Sequence, residues 1–208
     1  MKKDWAILFV SPALLEPATK RGGGIEEVDY EIALALRNNF RIIMVGPFLC
    51  KFRRKFEIKD NIEIEEVFFP AIKEYPPTSR KQQYYSSILI WIYVLLLSMR
   101  LISILKKNNC LIIAHNGVPG MIASFLSKVR NYKIIFSEGN LTPWSDPCIL
   151  KKKKTIVELI MHKFHLLIGK YIANLSDMIC VQSEVIRNGM IDLGVESDKI
   201  KIIPLKIS

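Results

Sequence analysis

The chain is short of acid and poor in paired cysteine: 20 Asp and Glu stand against 30 Lys and Arg, and its four cysteines form no CxxC. The first shortage leaves a formal charge of +10, which turns the protein toward anionic partners such as phosphates, acidic headgroups or nucleic acid. The second, with Cys50, Cys110, Cys148 and Cys180 far apart, excludes a disulfide framework and a cysteine zinc site. It fits reduced thiols in a cytosolic protein. No GK[ST] follows a glycine loop, no GxGxxG follows the first apolar run, and no GxSxG occurs. These gaps exclude a P-loop, the usual dinucleotide fingerprint and an α/β-hydrolase elbow. There is no internal repeat and no dividing linker rich in Pro, Gly or Ser. The apolar stretch Trp5–Val10 soon meets Pro12, so a signal-peptide core is missing and nothing points to export.

A long uninterrupted apolar run is also lacking. Ser86–Leu105 comes nearest, but its apolar core covers only Ile88 to Leu97 before Ser98 and Arg100 break it. A membrane span needs about 20 such residues. The length suits a crossover helix, buried or facing an interface; a span and an interfacial membrane helix are the alternatives.

At 208 residues, 50% of them hydrophobic, the chain has enough apolar material for one domain over 1–208. Short β-rich runs alternate with stretches of helical period. Seven strands are expected: Trp5–Val10, Arg41–Val45, Ile62–Phe68, Leu111–Ala114, Lys133–Phe136, Met178–Val181 and Lys201–Ile203. Most are continuous apolar runs, as buried parallel strands require. The expectation is an α/β, Rossmann-like parallel sheet of about seven strands with helices on both faces. Ile25, Val28, Ile32 and Leu36 place a helix behind Gly22-Gly23-Gly24, and Ser183 caps a helix that Gly194 ends.

Three strand-end segments carry candidate chemistry. In Ser11–Gly24 the adjacent Gly22, Gly23 and Gly24 let backbone amides approach a diphosphate at a helix N-terminus, or make only a flexible turn. At Ala114-His115-Asn116-Gly117 a histidine leaves the C-terminal end of a buried strand, the edge where open α/β sheets bind ligands. His115 can hydrogen-bond sugar hydroxyls or phosphate and exchange protons, or simply shape the turn. In Phe136-Ser137-Glu138-Gly139-Asn140, Glu138 can orient or deprotonate an acceptor hydroxyl, or be merely solvated; Trp144 offers a stacking surface for sugar or lipid. His162 and His165 lie off the apolar stripe Ile156, Leu159, Ile160, Phe164, Leu167, Ile168, Tyr171 and have no third ligand, so no metal is expected. The cationic runs Lys51–Lys59 and Lys151–Lys154 read as solvated faces or as patches for phosphate or a membrane surface.

GGGIEEV, RIIMVGP, IIAHNG, IIFSEGN and SDMICVQSEVIRNGMIDLGVESDKIKIIP together resemble the N-terminal domain of GT-B glycosyltransferases of family 4, over nearly the whole chain. The resemblance implies the N-terminal, acceptor-side half of a two-domain retaining enzyme, with a nucleotide-sugar co-substrate and no other cofactor. Gly22, Gly23 and Gly24 would approach the donor diphosphate, with Glu26 matching the family's Gly-Gly-x-Glu acid. His115 matches its strand-end histidine, and Asn116, Asn140 and Trp144 fall in the acceptor region. Glu138 stands where the family commonly has a histidine. The family continues past Ile-Pro into a donor-binding domain, whereas this sequence ends at Ser208. The resemblance therefore implies an acceptor-binding half with the donor domain absent, inactive alone, with a sugar, polysaccharide or glycolipid acceptor. A separate donor-domain chain and an anionic membrane surface are the further partners, in a cytoplasmic setting peripheral to the inner membrane; nucleic acid is not a partner. A non-catalytic binding or scaffold module is the alternative, and a stand-alone nucleotide-binding Rossmann protein the weaker third.

Overall fold

The computed structural model describes residues 5–10, 24–49, 55–69, 80–138 and 156–203. The chain divides into two compact units, Met1–Ile112 and Ile113–Ser208, with the boundary inside one strand.

The first unit contains β1 (Trp5–Val10), α1 (Gly24–Leu36), β2 (Arg41–Leu49), β3 (Lys55–Lys59), β4 (Ile62–Phe69), α2 (Arg80–Lys107) and the start of β5 (Asn109–His115). Its strand order is β3-β4-β2-β1-β5. β1 and β2 run parallel, Ala6 opposite Arg41 through Val10 opposite Val45, and β2 runs parallel to β4. Ala6 to Val10 and Ile42 to Val45 are buried at every position, so both sheet faces are covered. Stepping from β1 to β2 and from β4 to β5 proceeds in opposite directions across this sheet. Right-handed crossovers therefore put α1 and α2 on opposite faces.

β3 is an eighth strand that the sequence pattern does not announce, antiparallel to β4. The hairpin turns at Asp60 (φ 53°) and Asn61 (φ 64°), two consecutive left-handed residues as a two-residue I′ connection requires. Tyr30 of α1 donates its hydroxyl to Asp60 Oδ2 at 2.7 Å and holds the turn against the helix.

α2 takes up the long apolar segment. Tyr93, Leu97, Leu101, Ile104 and Leu105 are buried, and Arg100 forms a two-pronged ion pair with Glu65 of β4, itself buried. Ile92, Leu95, Leu96 and Met99 are left outward. Among the described residues no helix is long and apolar enough to cross a membrane. Cys110 is buried at the start of β5; burial pushes its thiol up to about 11 against a smaller downward pull from Arg41, so it stays protonated. Cys50 and Cys148 lie outside the described residues.

The second unit holds the end of β5, then α3 (Val118–Arg130), β6 (Lys133–Glu138), α4 (Ile156–Leu175), β7 (Met178–Val181), α5 (Glu184–Asp192) and β8 (Ile200–Ile202), in strand order β5-β6-β7-β8. The β6–β7 and β7–β8 pairings are parallel. Phe136, Ile168, Ile172, Ile179, Val181, Ile186 and Met190 form its core. The seven strands that continuous apolar runs mark are all present, within a few residues of their expected bounds, and the architecture is an α/β Rossmann-like fold.

Local signals close the elements as the sequence indicates. Ser183 accepts the amide of Ile186, capping α5. At its other end Gly194 (φ 88°) donates to Ile191 O and Val195 to Met190 O, the paired bonds of a Schellman stop. One reading is corrected. The stripe expected to bury α4 included Phe164, Leu167 and Tyr171, yet these are exposed, while Ile168, Gly169, Ile172 and Ala173 are buried. Gly169 and Ala173, which a count of apolar period passes over, share the inward face with Ile168 and Ile172.

Asp177, just before β7, ties two strand starts together. Its carboxylate accepts the Ile134 amide at 2.9 Å and the Lys133 ammonium at 2.7 Å. Partial burial pushes its pKa up, but those two hydrogen bonds and the charges of Lys133 and Lys128 outweigh it and hold the group below the usual 3.8. A folded pKa below the unfolded one adds stability above the unfolded value, and that stability is lost as pH falls through the folded value. Asp177→Asn should therefore cost about 1 kcal/mol in urea denaturation at neutral pH, the discount for solvent included. The gap to wild type should close once the pH drops below the ordinary carboxylate range.

Candidate functional site

The second unit brings two of the sequence candidates together. His115 ends β5 and Glu138 ends β6, and they are 3% and 1% exposed. His115 Nδ1 lies 3.0 Å from Ser137 O; a carbonyl only accepts, so this bond puts the proton on Nδ1 and makes Nε2 the acceptor of the neutral ring. One residue on, Asn116 Nδ2 donates to Glu138 Oε2 at 3.0 Å. The strand ends are thus cross-linked twice, 115 to 137 and 116 to 138. An imidazole and a carboxylate are both held in fixed orientation where the backbone ladder stops.

Why the chain turns here follows from three small residues. Gly117 adopts φ 119° with ψ −179°, a conformation essentially confined to glycine. Pro119 sits in the first turn of α3, where a missing amide hydrogen costs nothing. At Gly120 a Cβ would stand 1.8 Å from His115 O and 3.2 Å from Ile172 Cδ1, so the helix can press on the strand end only because no side chain is there. Met121 N–H to Gly117 O, at 3.0 Å, starts the helical ladder, and no side chain caps the helix. The amides of its first turn and the positive end of its dipole therefore sit beside the same strand end.

What the arrangement supplies chemically is an imidazole and a carboxylate held in fixed orientation. Imidazole Nε2 and a carboxylate are acceptors for hydroxyl protons, and both groups can move a proton. Asn116, placed by sequence among the acceptor-binding residues, commits an amide hydrogen to Glu138 and so positions the carboxylate. Sequence reasoning missed this role and the close approach at Gly120, although the spacing HNGVPG carried the signal. Gly24 opens α1 and Glu26 lies in its first turn, both in the first unit. Gly22, Gly23, Asn140, Trp144, Lys51 to Arg54 and Lys151 to Lys154 lie outside the described residues. His165 is exposed on α4, and among the described residues no three His, Cys, Asp or Glu side chains are grouped to hold a metal.

No family model and no curated protein sequence matches this chain. Solved structures do. Sucrose-phosphate synthase from Thermosynechococcus elongatus matches with a TM-score of 0.65 at 13% identity, over 97% of this chain and 48% of that one. Anabaena HepE, solved with UDP and glucose, gives 0.56 at 13% identity over 96% and 44%. The E. coli trehalose-6-phosphate protein bound with UDP-2-fluoro glucose gives 0.55 at 16% identity over 98% and 49%. These neighbours are GT-B glycosyltransferases, and this chain spans about half the length of each. At such identities the likeness is one of fold.

Gly120→Ala should destabilise the protein by about 3 kcal/mol in chemical denaturation, because the added methyl meets backbone that has nowhere to go. Gly194→Ala is the contrast, since a Cβ there meets nothing within 4 Å and only its φ of 88° opposes the change. It should cost about 1 kcal/mol.

Proposed function

We propose that this chain is the acceptor-side half of a nucleotide-sugar glycosyltransferase, with His115 and Glu138 as its catalytic side chains. The observation that carries the reading is the pair itself: a histidine and a glutamate, buried and hydrogen-bonded in place, at the carboxyl ends of adjoining parallel strands. It is supported by the fold shared with HepE, whose structure contains UDP and glucose, and by the sequence resemblance to family 4.

In this reading an acceptor hydroxyl hydrogen-bonds to His115 Nε2 or gives its proton to the Glu138 carboxylate as its oxygen attacks the anomeric carbon. The nucleoside diphosphate leaves from the same face of the sugar that the acceptor oxygen enters, as the retention of configuration implied by the resemblance requires of a single displacement. The resemblance assigns Gly22, Gly23, Gly24 and Glu26 to the donor diphosphate, and most of the grip on the donor to a separate domain or chain. Asn140 and Trp144 contact the acceptor, a polysaccharide or lipid-linked sugar reached at the cytoplasmic membrane face.

Calorimetry with a panel of nucleotide sugars is expected to give dissociation constants of about 1 mM or weaker. Saturation-transfer NMR should detect oligosaccharide acceptors on the same chain. That signal should vanish in Glu138→Gln and His115→Ala variants whose melting curves remain cooperative. Submicromolar nucleotide-sugar binding, abolished by Gly24→Asp, would contradict the reading, because the chain would then hold its own donor site.

A further inference from the structure

α3 and α4 pack against one another in the second unit. Both lead from one strand to the next in the same direction along β5-β6-β7, so right-handed crossovers put them on one face of that sheet. Their outward surface is unlike an ordinary solvated one. Phe125 and Val129 on α3, one turn apart, are 55% and 62% exposed; Phe164, Leu167 and Tyr171 on α4, at i, i+3 and i+7, are 48%, 65% and 40% exposed. Single exposed apolar residues need no explanation, but periodic ones on two adjoining helices form a surface that water solvates poorly.

The charges on the two helices themselves are almost all positive, and the nearest carboxylate beyond them, Asp177, faces Lys128 and Lys133. Lys163 and Lys170 stand four residues before and three after Leu167, on its side of the helix, and Lys128 is exposed beside Val129. α3 contains no acidic residue, and the α4 sequence contains only Glu158, near its start. Four lysines, Lys151 to Lys154, precede that helix in the sequence.

We propose that this α3–α4 face docks on an anionic lipid bilayer through Phe164, Leu167 and Tyr171 of α4 and Phe125 and Val129 of α3. Aromatic and aliphatic side chains enter the headgroup boundary while lysines reach the lipid phosphates along their own alkyl stems. A second copy using the same face would set lysines against lysines, which opposes a symmetric contact. Nucleic acid would leave Leu167 and Val129 without a partner. The proposal deepens the reading of a lipid-linked acceptor, yet its test involves no sugar, so either can fail without the other.

The test is flotation of the whole chain with vesicles of phosphatidylcholine alone and with about 30% phosphatidylglycerol. Binding should be about tenfold stronger to the anionic vesicles and weaken as salt is raised. It should fall about tenfold both in Phe164→Ser/Leu167→Ser and in Lys163→Ala/Lys170→Ala. All four residues lie outside the core, and unchanged circular dichroism melts would confirm that the variants fold. The salt dependence of the unaltered protein gives a reading independent of any variant. No binding, equal binding to both vesicles, or variants that bind as well as wild type would overturn the proposal. A dimer in light scattering that Leu167→Ser dissociates, without vesicle binding, would overturn it in favour of self-association.

Discussion

The contact between Gly120 and the carbonyl of His115 is the constraint on which the second unit's site depends. A Cβ would lie 1.8 Å from that oxygen, so glycine alone lets α3 begin directly against the end of β5. The turn has room for only two residues, and the first helical bond already reaches back to Gly117. Compression of this kind leaves His115 and Asn116 little choice of direction. Their side chains meet consecutive positions at the end of β6, the Ser137 carbonyl and the Glu138 carboxylate. The fixed directions of these side chains are a consequence of how tightly a helix closes on a strand.

Charge is used in the same economical way elsewhere. Glu65, inside the first unit, is neutralised by Arg100 through two hydrogen bonds, so a helix otherwise held by Leu97, Leu101 and Ile104 gains a fixed register on β4. Removing one member of such a pair is costlier than removing both, because the survivor is a buried charge without compensation. Asp177 does a smaller version of the same work near the surface of the second unit, joining the first residues of β6 to the start of β7. These pairs stitch neighbouring elements where apolar packing alone leaves sliding possible.

Strands that are buried on both faces were easy to see in the sequence, because Ala6 to Val10 or Ile42 to Val45 have no other use for an unbroken apolar run. β3 was not, since KFEIK alternates charge with apolar side chains inside a cationic cluster and is made a strand by its pairing with β4. For α4 the helical period was legible but the inward side was not. Periodicity counts large apolar positions, whereas the inward face also carries the small residues Gly169 and Ala173. His115 and Glu138 could be placed at strand ends from sequence. That Asn116 would be spent on Glu138 depends on the adjacency of β5 and β6, which no local pattern encodes.

The orientation of His115 is the centre of this account and is directly observable. Long-range proton–nitrogen correlation NMR of the imidazole reports which ring nitrogen carries hydrogen. The hydrogen bond to Ser137 predicts a proton on Nδ1, with Nε2 as the acceptor in the neutral ring. A neutral ring protonated on Nε2 would contradict the account, since Nδ1 could then not donate to that carbonyl and the cross-link between the ends of β5 and β6 would not exist as described.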